Sequence, residues 1–215
     1  MAANIVEREK HVKRAFDRDI AEHKVVVLHD DGLYRHLRCG RPNTIMYSFN
    51  IVTWPGYLAA VGDMGDYVFS RIPDMFDFFG DGTKYEGEIN PYYWAQKLQG
   101  TGHSRDMSRV FSLDAFEERV KQWAAGVIDY YDPNAVERDR FKLAVKTELL
   151  DCKPLSGHEA HDLLRRFEVD GISISDSWEW DIEEFRYDYL WCCYAIVWAI
   201  AKYQAGETSG QTQAA

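Results

Sequence analysis

The chain has 215 residues, of which 46% are hydrophobic and 14% aromatic, and it carries a formal net charge of −10. This apolar content is typical of a folded globular core and argues against disorder. The acidic balance argues against direct binding of nucleic acid through a basic surface, but it suits a basic protein partner. The length allows one large domain or two smaller ones.

The cysteines and the N-terminal residues indicate the cellular compartment of the protein. The four cysteines are Cys39, Cys152, Cys192 and Cys193. Their spacing fits neither a disulfide framework nor a metal site, so we expect free thiols and no metal or other cofactor. The N-terminal residues 1–16 lack the apolar segment of a signal peptide. We therefore expect a cytoplasmic protein.

The N-terminal half predicts an α+β fold. The apolar residues of positions 5–23 have the spacing of an amphipathic helix. After residue 23 the apolar positions recur every 2 residues, as in a strand, instead of every 3.6. Five strands are predicted, with the bounds Lys24–His29, Leu33–Cys39, Thr44–Trp54, Tyr57–Val61 and Asp66–Arg71. Short local turns join them, which is typical of an antiparallel meander of four or five strands. Such a sheet needs helices on one face only.

Residues 73–108 predict short helices and loops. A helix is expected over Pro73–Phe79, and a second helical segment over residues 90–98. Between them, residues 80–88 are rich in glycine and acids, and residues 100–108 form the best candidate for a flexible connection.

The C-terminal half predicts helices. Ser112 is expected to cap a strongly periodic helix that ends at Asp132, the next helix runs to about Leu150, and a capping box at 156–159 starts another. The last helix, Asp181–Gln204, is apolar on both sides, so we expect it to be the buried centre of the helical half. Its apolar run is shorter than the roughly 20 residues that span a bilayer.

These elements predict two subdomains that form one compact unit. Residues 1–100 would contain the first helix and the sheet, and residues 101–205 the helical subdomain. The polar residues 206–215 are expected to be a disordered tail.

Two pairs of histidines have a spacing that raises the question of a chemical site. His158 and His161 are three residues apart, whereas the zinc-protease motif needs a spacing of four and a further ligand. His29 and His36 nearly oppose each other on the first hairpin, and Tyr34 lies between them in the sequence. Cys39 could join them in a metal site or a Cys–His pair, but it is three residues from His36, which puts the two on opposite faces of a regular strand. The two histidines support an alternative function, a small-molecule binder or enzyme with its site in a sheet–helix cleft near this hairpin. No catalytic set stands out, and an enzyme is the less favoured interpretation.

Two acidic clusters favour a binding function. The candidate partner-binding residues are Asp176, Trp178, Glu179, Trp180, Asp63, Asp66, Asp74 and Asp77. Tryptophan beside carboxylates, in a stretch without a helical pattern, is typical of an interface with a basic partner. Ordinary solvated loops, and acids placed at helix N-termini, are the alternative.

Four motifs in the sheet region carry a resemblance. They are the hairpin His29–Arg38 (HDDGLYRHLR), the turn Val52–Gly56 (VTWPG), Gly62–Met64 (GDM) and Tyr67–Arg71 (YVFSR). Over roughly residues 28–131 the chain resembles an uncharacterised family of bacteriophage and prophage accessory proteins. The family has no known activity, so it supplies no catalytic residues.

The resemblance implies a viral protein made in the host cytoplasm. It would be non-enzymatic and would inhibit a host or defence complex that handles nucleic acids, as anti-CRISPR proteins do. A self-associating scaffold is a third hypothesis, and the oligomeric state stays open.

Overall fold

The computed structural model describes residues 2–80, 89–100, 107–131 and 134–209, with side chains from residue 7 onward. The chain divides into two compact units. The sheet unit comprises residues 2–108 and 185–215, and the helical unit comprises residues 109–184. Among the described residues, no helix combines the length and the hydropathy that a bilayer-spanning segment needs.

The sheet unit confirms the predicted α+β class and the five-stranded antiparallel meander. Its strands are β1 (Lys24–Asp31), β2 (Tyr34–Gly40), β3 (Phe49–Trp54), β4 (Tyr57–Gly62) and β5 (Gly65–Ser70). The third strand begins five residues later than predicted, because the preceding residues form a turn. In that turn the backbone N–H and the hydroxyl of Ser48 both donate to the carbonyl of Ile45, at 2.9 and 2.7 Å.

Helices cover one face of this sheet. They are α1 (Ala2–Asp19), α2 (Met75–Phe79), α3 (Pro91–Ala95) and the C-terminal helix α7 (Tyr187–Gln204). The covered face is buried at every second residue, so that in β3 Phe49, Ile51 and Thr53 are buried while the residues between them are half-buried. The intervening side chains form the outer face of the sheet.

The C-terminal helix is buried, as predicted, but it belongs to the sheet unit rather than to the predicted 101–205 subdomain. Trp191 shows the reason, since its ring lies 5.1 Å from Phe16 of α1 and 5.6 Å from Phe49 of β3. The two apolar sides of the helix are thus covered by α1 and by the sheet. The helix also begins at Tyr187 rather than at Asp181, because residues 183–185 form a strand.

Part of the predicted tail adds a sixth strand to the sheet of the sheet unit, next to β1. Residues Thr208–Ser209 (β10) pair in parallel with Val25 and Val26 of β1. Gly206 makes this return feasible, since its φ of 70° lets the chain reverse after α7. The prediction of disorder was wrong for residues 208 and 209, and residues 210–215 lie outside the described ranges.

The described residues of the helical unit form three α-helices around a core of their own. Its elements are β6 (Arg109–Phe111), α4 (Leu113–Tyr131), α5 (Ala135–Ala144), a π-helical turn (Val145–Leu150), α6 (Gly157–Arg166), β7 (Glu168–Val169), β8 (Ile172–Ser173), a 3-10 turn (Ser177–Glu179) and β9 (Glu183–Phe185). The last residue of β9, Phe185, is assigned to the sheet unit. The core is formed by Phe116 and Val120 of α4 with Leu149 and Leu164, all fully buried. The strands β6 and β9 pair, as do β7 and β8.

The predicted helix caps are mostly confirmed. The hydroxyl of Ser112 accepts a hydrogen bond from the backbone N–H of Ala115, and the hydroxyl of Ser156 accepts one from the backbone N–H of Glu159. The carboxylate of Glu159, however, accepts from the N–H of Leu155 rather than from that of Ser156, so the predicted capping box is half formed. Residues 81–88, 101–106 and 132–133 of the predicted loops lie outside the described ranges.

Candidate functional site

The turn formed by residues 176–180 is the best candidate for a binding site in the helical unit. Asp176 adopts the left-handed conformation, with φ of 55° and ψ of 30°, and starts the 3-10 turn. Two backbone hydrogen bonds close the turn. The N–H of Glu179 donates to the backbone carbonyl of Asp176 at 3.0 Å, and the N–H of Trp180 donates to that of Ser177 at 3.2 Å. Aspartate tolerates this backbone region better than most residues. The local sequence therefore specifies the turn.

Buried side chains fix both ends of this turn. Ile174 precedes it and Ile182 follows it, and both belong to the core of the helical unit. Ser177 is also buried within it. A segment anchored on both sides loses little conformational entropy when a partner binds. The turn is thus a preformed surface feature.

Trp180 is a further anchor of this turn, and the expectation that its side chain is exposed is wrong. Its side chain is only 7% exposed and packs 6.2 Å from the ring of Trp123. The guanidinium of Arg119 lies 5.3 Å from its ring centre, within the range of a cation–π interaction. The burial follows from the extended backbone at Trp180, which leads directly toward the buried Ile182.

Trp178 has the opposite environment. Its side chain is 72% exposed, the largest exposure of any tryptophan among the described large hydrophobic residues. Asp176 and Glu179 on either side of it are exposed too, and within the described ranges neither forms an ion pair. We call these three residues, Asp176, Trp178 and Glu179, the acidic–Trp turn.

Other acids near this turn in the sequence have structural partners. Asp181 lies 3.0 Å from Arg109, whose side chain also donates to the backbone carbonyl of Glu183 at 2.7 Å. Asp170 forms an ion pair with Arg140 at 2.7 Å. The acidic–Trp turn therefore keeps its two negative charges available, whereas these neighbours are neutralised within the fold.

The acidic residues of the sheet unit mostly support its backbone. Asp63 accepts the N–H of Tyr47 at 2.8 Å, and Asp66 accepts the N–H of Gly62 at 3.2 Å. Asp77 is exposed in the first turn of α2, where an acid is favoured. The acids of this cluster at positions 81, 86 and 88 lie outside the described ranges.

Asp74 has the strongest structural role of this group. It caps α2 through the N–H of Phe76 and receives two hydrogen bonds from Arg35, at 2.8 and 2.9 Å. These bonds from Arg35 hold the pKa of the Asp74 carboxyl below its ordinary value. An acid bound in this way offers little free charge to a partner.

The histidine pair of the first hairpin lies on the outer face of the sheet. His29 is the register partner of His36, and the imidazole of His36 lies 3.0 Å from the side-chain oxygen of Asn50. Cys39 is fully buried on the opposite face, and burial raises the pKa of its thiol. The two histidines and the thiol therefore do not share a site. No group of three or more metal-ligating side chains was found among the described residues.

The sheet unit also has a groove that the sequence pattern does not predict. A groove of about 720 Å³ lies at the start of β1 and the end of β2, and three of its lining residues are the cations Lys24, Arg38 and Arg41. The predicted register could not have indicated this, because an unbroken hairpin with His29 opposite His36 places Lys24 and Arg38 on opposite faces. The bulge at Leu28 brings these two cations onto one face. Position alone could not place the loop that forms the groove wall.

No family model, curated protein or solved structure matches this chain. The resemblance to phage accessory proteins thus stays a prediction, and the functional argument depends on the side chains of the acidic–Trp turn and of the groove.

Proposed function

We propose that this protein is a non-enzymatic binding protein whose acidic–Trp turn contacts a basic surface of a partner protein. The observation that supports it is Trp178, 72% exposed on an anchored turn between two acids without ion pairs. Exposed tryptophan is costly to hydrate and is enriched among the residues that dominate binding energy. An anchored position lets such a residue bind at a low entropic cost.

The energy available from Trp178 is large enough to matter. A tryptophan buries about 150–250 Å² in an interface, worth roughly 4–6 kcal/mol at about 25 cal/mol per Å². Ordering and desolvation costs reduce this value, and hot-spot tryptophans typically lose about 2 kcal/mol or more when truncated. We therefore expect Trp178→Ala to weaken partner binding by at least about 30-fold.

The charges beside Trp178 support a basic partner. Asp176 and Glu179 add two negative charges beside the ring, in a chain with a net charge of −10. Such a surface attracts basic proteins and steers their association. Proteins that handle nucleic acids carry basic surfaces, so they are the class that fits best. The phage origin and the inhibitory, anti-CRISPR-like role depend on the sequence resemblance and extend this proposal.

A pull-down with matched variants tests the proposal. The tagged protein is incubated with nuclease-treated host lysate, so that nucleic acid cannot bridge the partners, and retained proteins are identified by mass spectrometry. The Trp178→Ala variant should lose the retained protein. The control is Tyr130→Ala, because Tyr130 is 82% exposed in the same unit but lies on α4.

The outcomes separate the proposal from unspecific adhesion. Loss of a stoichiometric, basic protein with Trp178→Ala but not with Tyr130→Ala would support the acidic–Trp turn. Equal retention by both variants would reject this turn as the contact. Retention that disappears equally with both would show adhesion through exposed aromatic side chains in general.

A further inference from the structure

The groove of the sheet unit combines features of a binding site for small molecules. It lies on the outer face of the sheet, where Lys24 opposes Gly40 and Arg38 opposes Val26 in the register of β1 and β2. Diagonal neighbours in an antiparallel pair are about 7–8 Å apart, so Lys24 and Arg38 can reach one ligand. A bulge at Leu28 adds an extra apolar side chain to β1.

The wall of the groove is the loop between β2 and β3, which hydrogen bonds hold in place. Residues 41–45 and Ser48 line it, and Tyr47 within the same loop adopts a positive φ of 56°. The N–H of Tyr47 donates to Asp63, and its carbonyl lies 3.1 Å from the His23 imidazole. These contacts hold the strained loop in one position, so the groove exists before any ligand binds.

The charge of the groove is unusual for so acidic a chain. None of its lining residues is acidic, and within the described part of the chain Lys24 and Arg38 form no ion pair. Arg41 lies 3.7 Å from Glu22, whose side chain is 78% exposed. An ion pair this exposed contributes little and can be exchanged for a ligand.

Apolar side chains lie beside these cations. Val26 and Leu28 are half-buried in the groove, and Ile45 is 78% exposed at its wall. A cavity of 300–1,000 Å³ with apolar walls and a few polar groups is typical of small-molecule sites, and this groove, at about 720 Å³, falls in that range. A long polyanion would be repelled by the net charge of −10.

We infer that this groove binds a small organic anion with an apolar body. The anionic group, a carboxylate, phosphate or sulfonate, is held by Lys24 and Arg38, and the apolar body covers Val26, Leu28 and Ile45. Arg41 can turn from Glu22 toward the same anion. This site is independent of the acidic–Trp turn, so either can fail without the other.

The test uses a fluorescent probe with this chemistry. The dye 8-anilinonaphthalene-1-sulfonate carries a sulfonate on an apolar ring system, and N-phenyl-1-naphthylamine is its neutral counterpart. Both are titrated into the wild type, Lys24→Gln, Arg38→Gln and the control Arg71→Gln. Arg71 is an exposed cation of the same unit that is not among the lining residues of the groove. Circular dichroism melts confirm that each variant is folded.

We expect Lys24→Gln and Arg38→Gln each to weaken binding of the anionic dye by about tenfold, the value of one charge-assisted hydrogen bond. Binding of the neutral dye, and binding of either dye by Arg71→Gln, should stay unchanged. Laurate should displace the anionic dye.

Three results would overturn the inference. They are a wild type that does not bind the anionic dye, equal affinities across all variants, and displacement by a thymidine oligonucleotide but not by laurate. The last result would assign the groove to nucleic acid instead of a small molecule.

Discussion

Trp178 and Trp180 are two residues apart, yet the structure assigns them opposite roles in stability. Trp180 is 7% exposed in the core of the helical unit, whereas Trp178 is 72% exposed. Truncation of a buried tryptophan to alanine costs about 3–5 kcal/mol, since it removes packing and leaves a cavity. Loss of the cation–π contact with Arg119 adds to this cost. Truncation of Trp178 should change the free energy of unfolding by less than about 0.5 kcal/mol.

Urea denaturation followed by far-UV circular dichroism compares the two variants, because fluorescence would change with the removed tryptophan itself. With a slope of about 1.5 kcal/mol per M, Trp180→Ala should lower the midpoint of the helical unit by about 2–3 M. Trp178→Ala should leave the midpoint within about 0.3 M of the wild type. Equal shifts of the midpoint in both variants, or a shift of less than about 0.5 M for Trp180→Ala, would refute the claim that Trp180 anchors the turn and Trp178 does not.

Three further predictions concern two glycines, the Arg35–Asp74 pair and the thiols. Gly62→Ala should lower the free energy of unfolding by about 1–3 kcal/mol, because the new Cβ would clash with the backbone carbonyl oxygen of Ser48. Gly126→Ala, where the space around the new Cβ is open, should instead raise the free energy of unfolding by about 0.5–1 kcal/mol, and urea melts measure both changes. Arg35 lowers the pKa of Asp74, so this pair stabilises the fold above the unfolded pKa of about 3.9 and ceases to do so as the pH falls through the folded value. The stability deficit of Asp74→Asn should therefore be largest near neutral pH and shrink in acid melts, and a constant deficit would contradict this role. In the native protein only Cys152 should react quickly with Ellman's reagent, because the other three thiols are buried and burial raises their pKa; rapid reaction of more than one thiol would contradict that burial.

The local part of the fold could be predicted from the sequence. The alternation in residues 49–54 and the turn residues between strands specify the meander, because period 2 places one face of each strand in the core. The double apolar face of the last helix likewise predicts its burial. Both features depend on neighbours along the chain.

Features that depend on distant residues could not be predicted. Thr208–Ser209 become a strand only because the edge of β1 offers hydrogen bonds there. No sequence period tells a buried Trp180 from an exposed Trp178, since the turn between them is irregular. The spacing in the sequence also does not show which acids have cationic partners, as the pairing of Asp74 with Arg35, 39 residues away, demonstrates.

The affinity of the partner recovered in the pull-down, measured against salt, tests the central claim most directly. The dissociation constant is determined by biolayer interferometry at about 0.1 M and about 1 M salt, where the Debye length falls from about 10 to about 3 Å. The double variant Asp176→Asn, Glu179→Gln keeps the shape of the turn and removes its two charges. The wild type should bind much more weakly at high salt, and the double variant should bind weakly at both and depend less on salt. A wild-type affinity that is indifferent to salt, or a double variant with the affinity of the wild type, would contradict binding through the acidic–Trp turn.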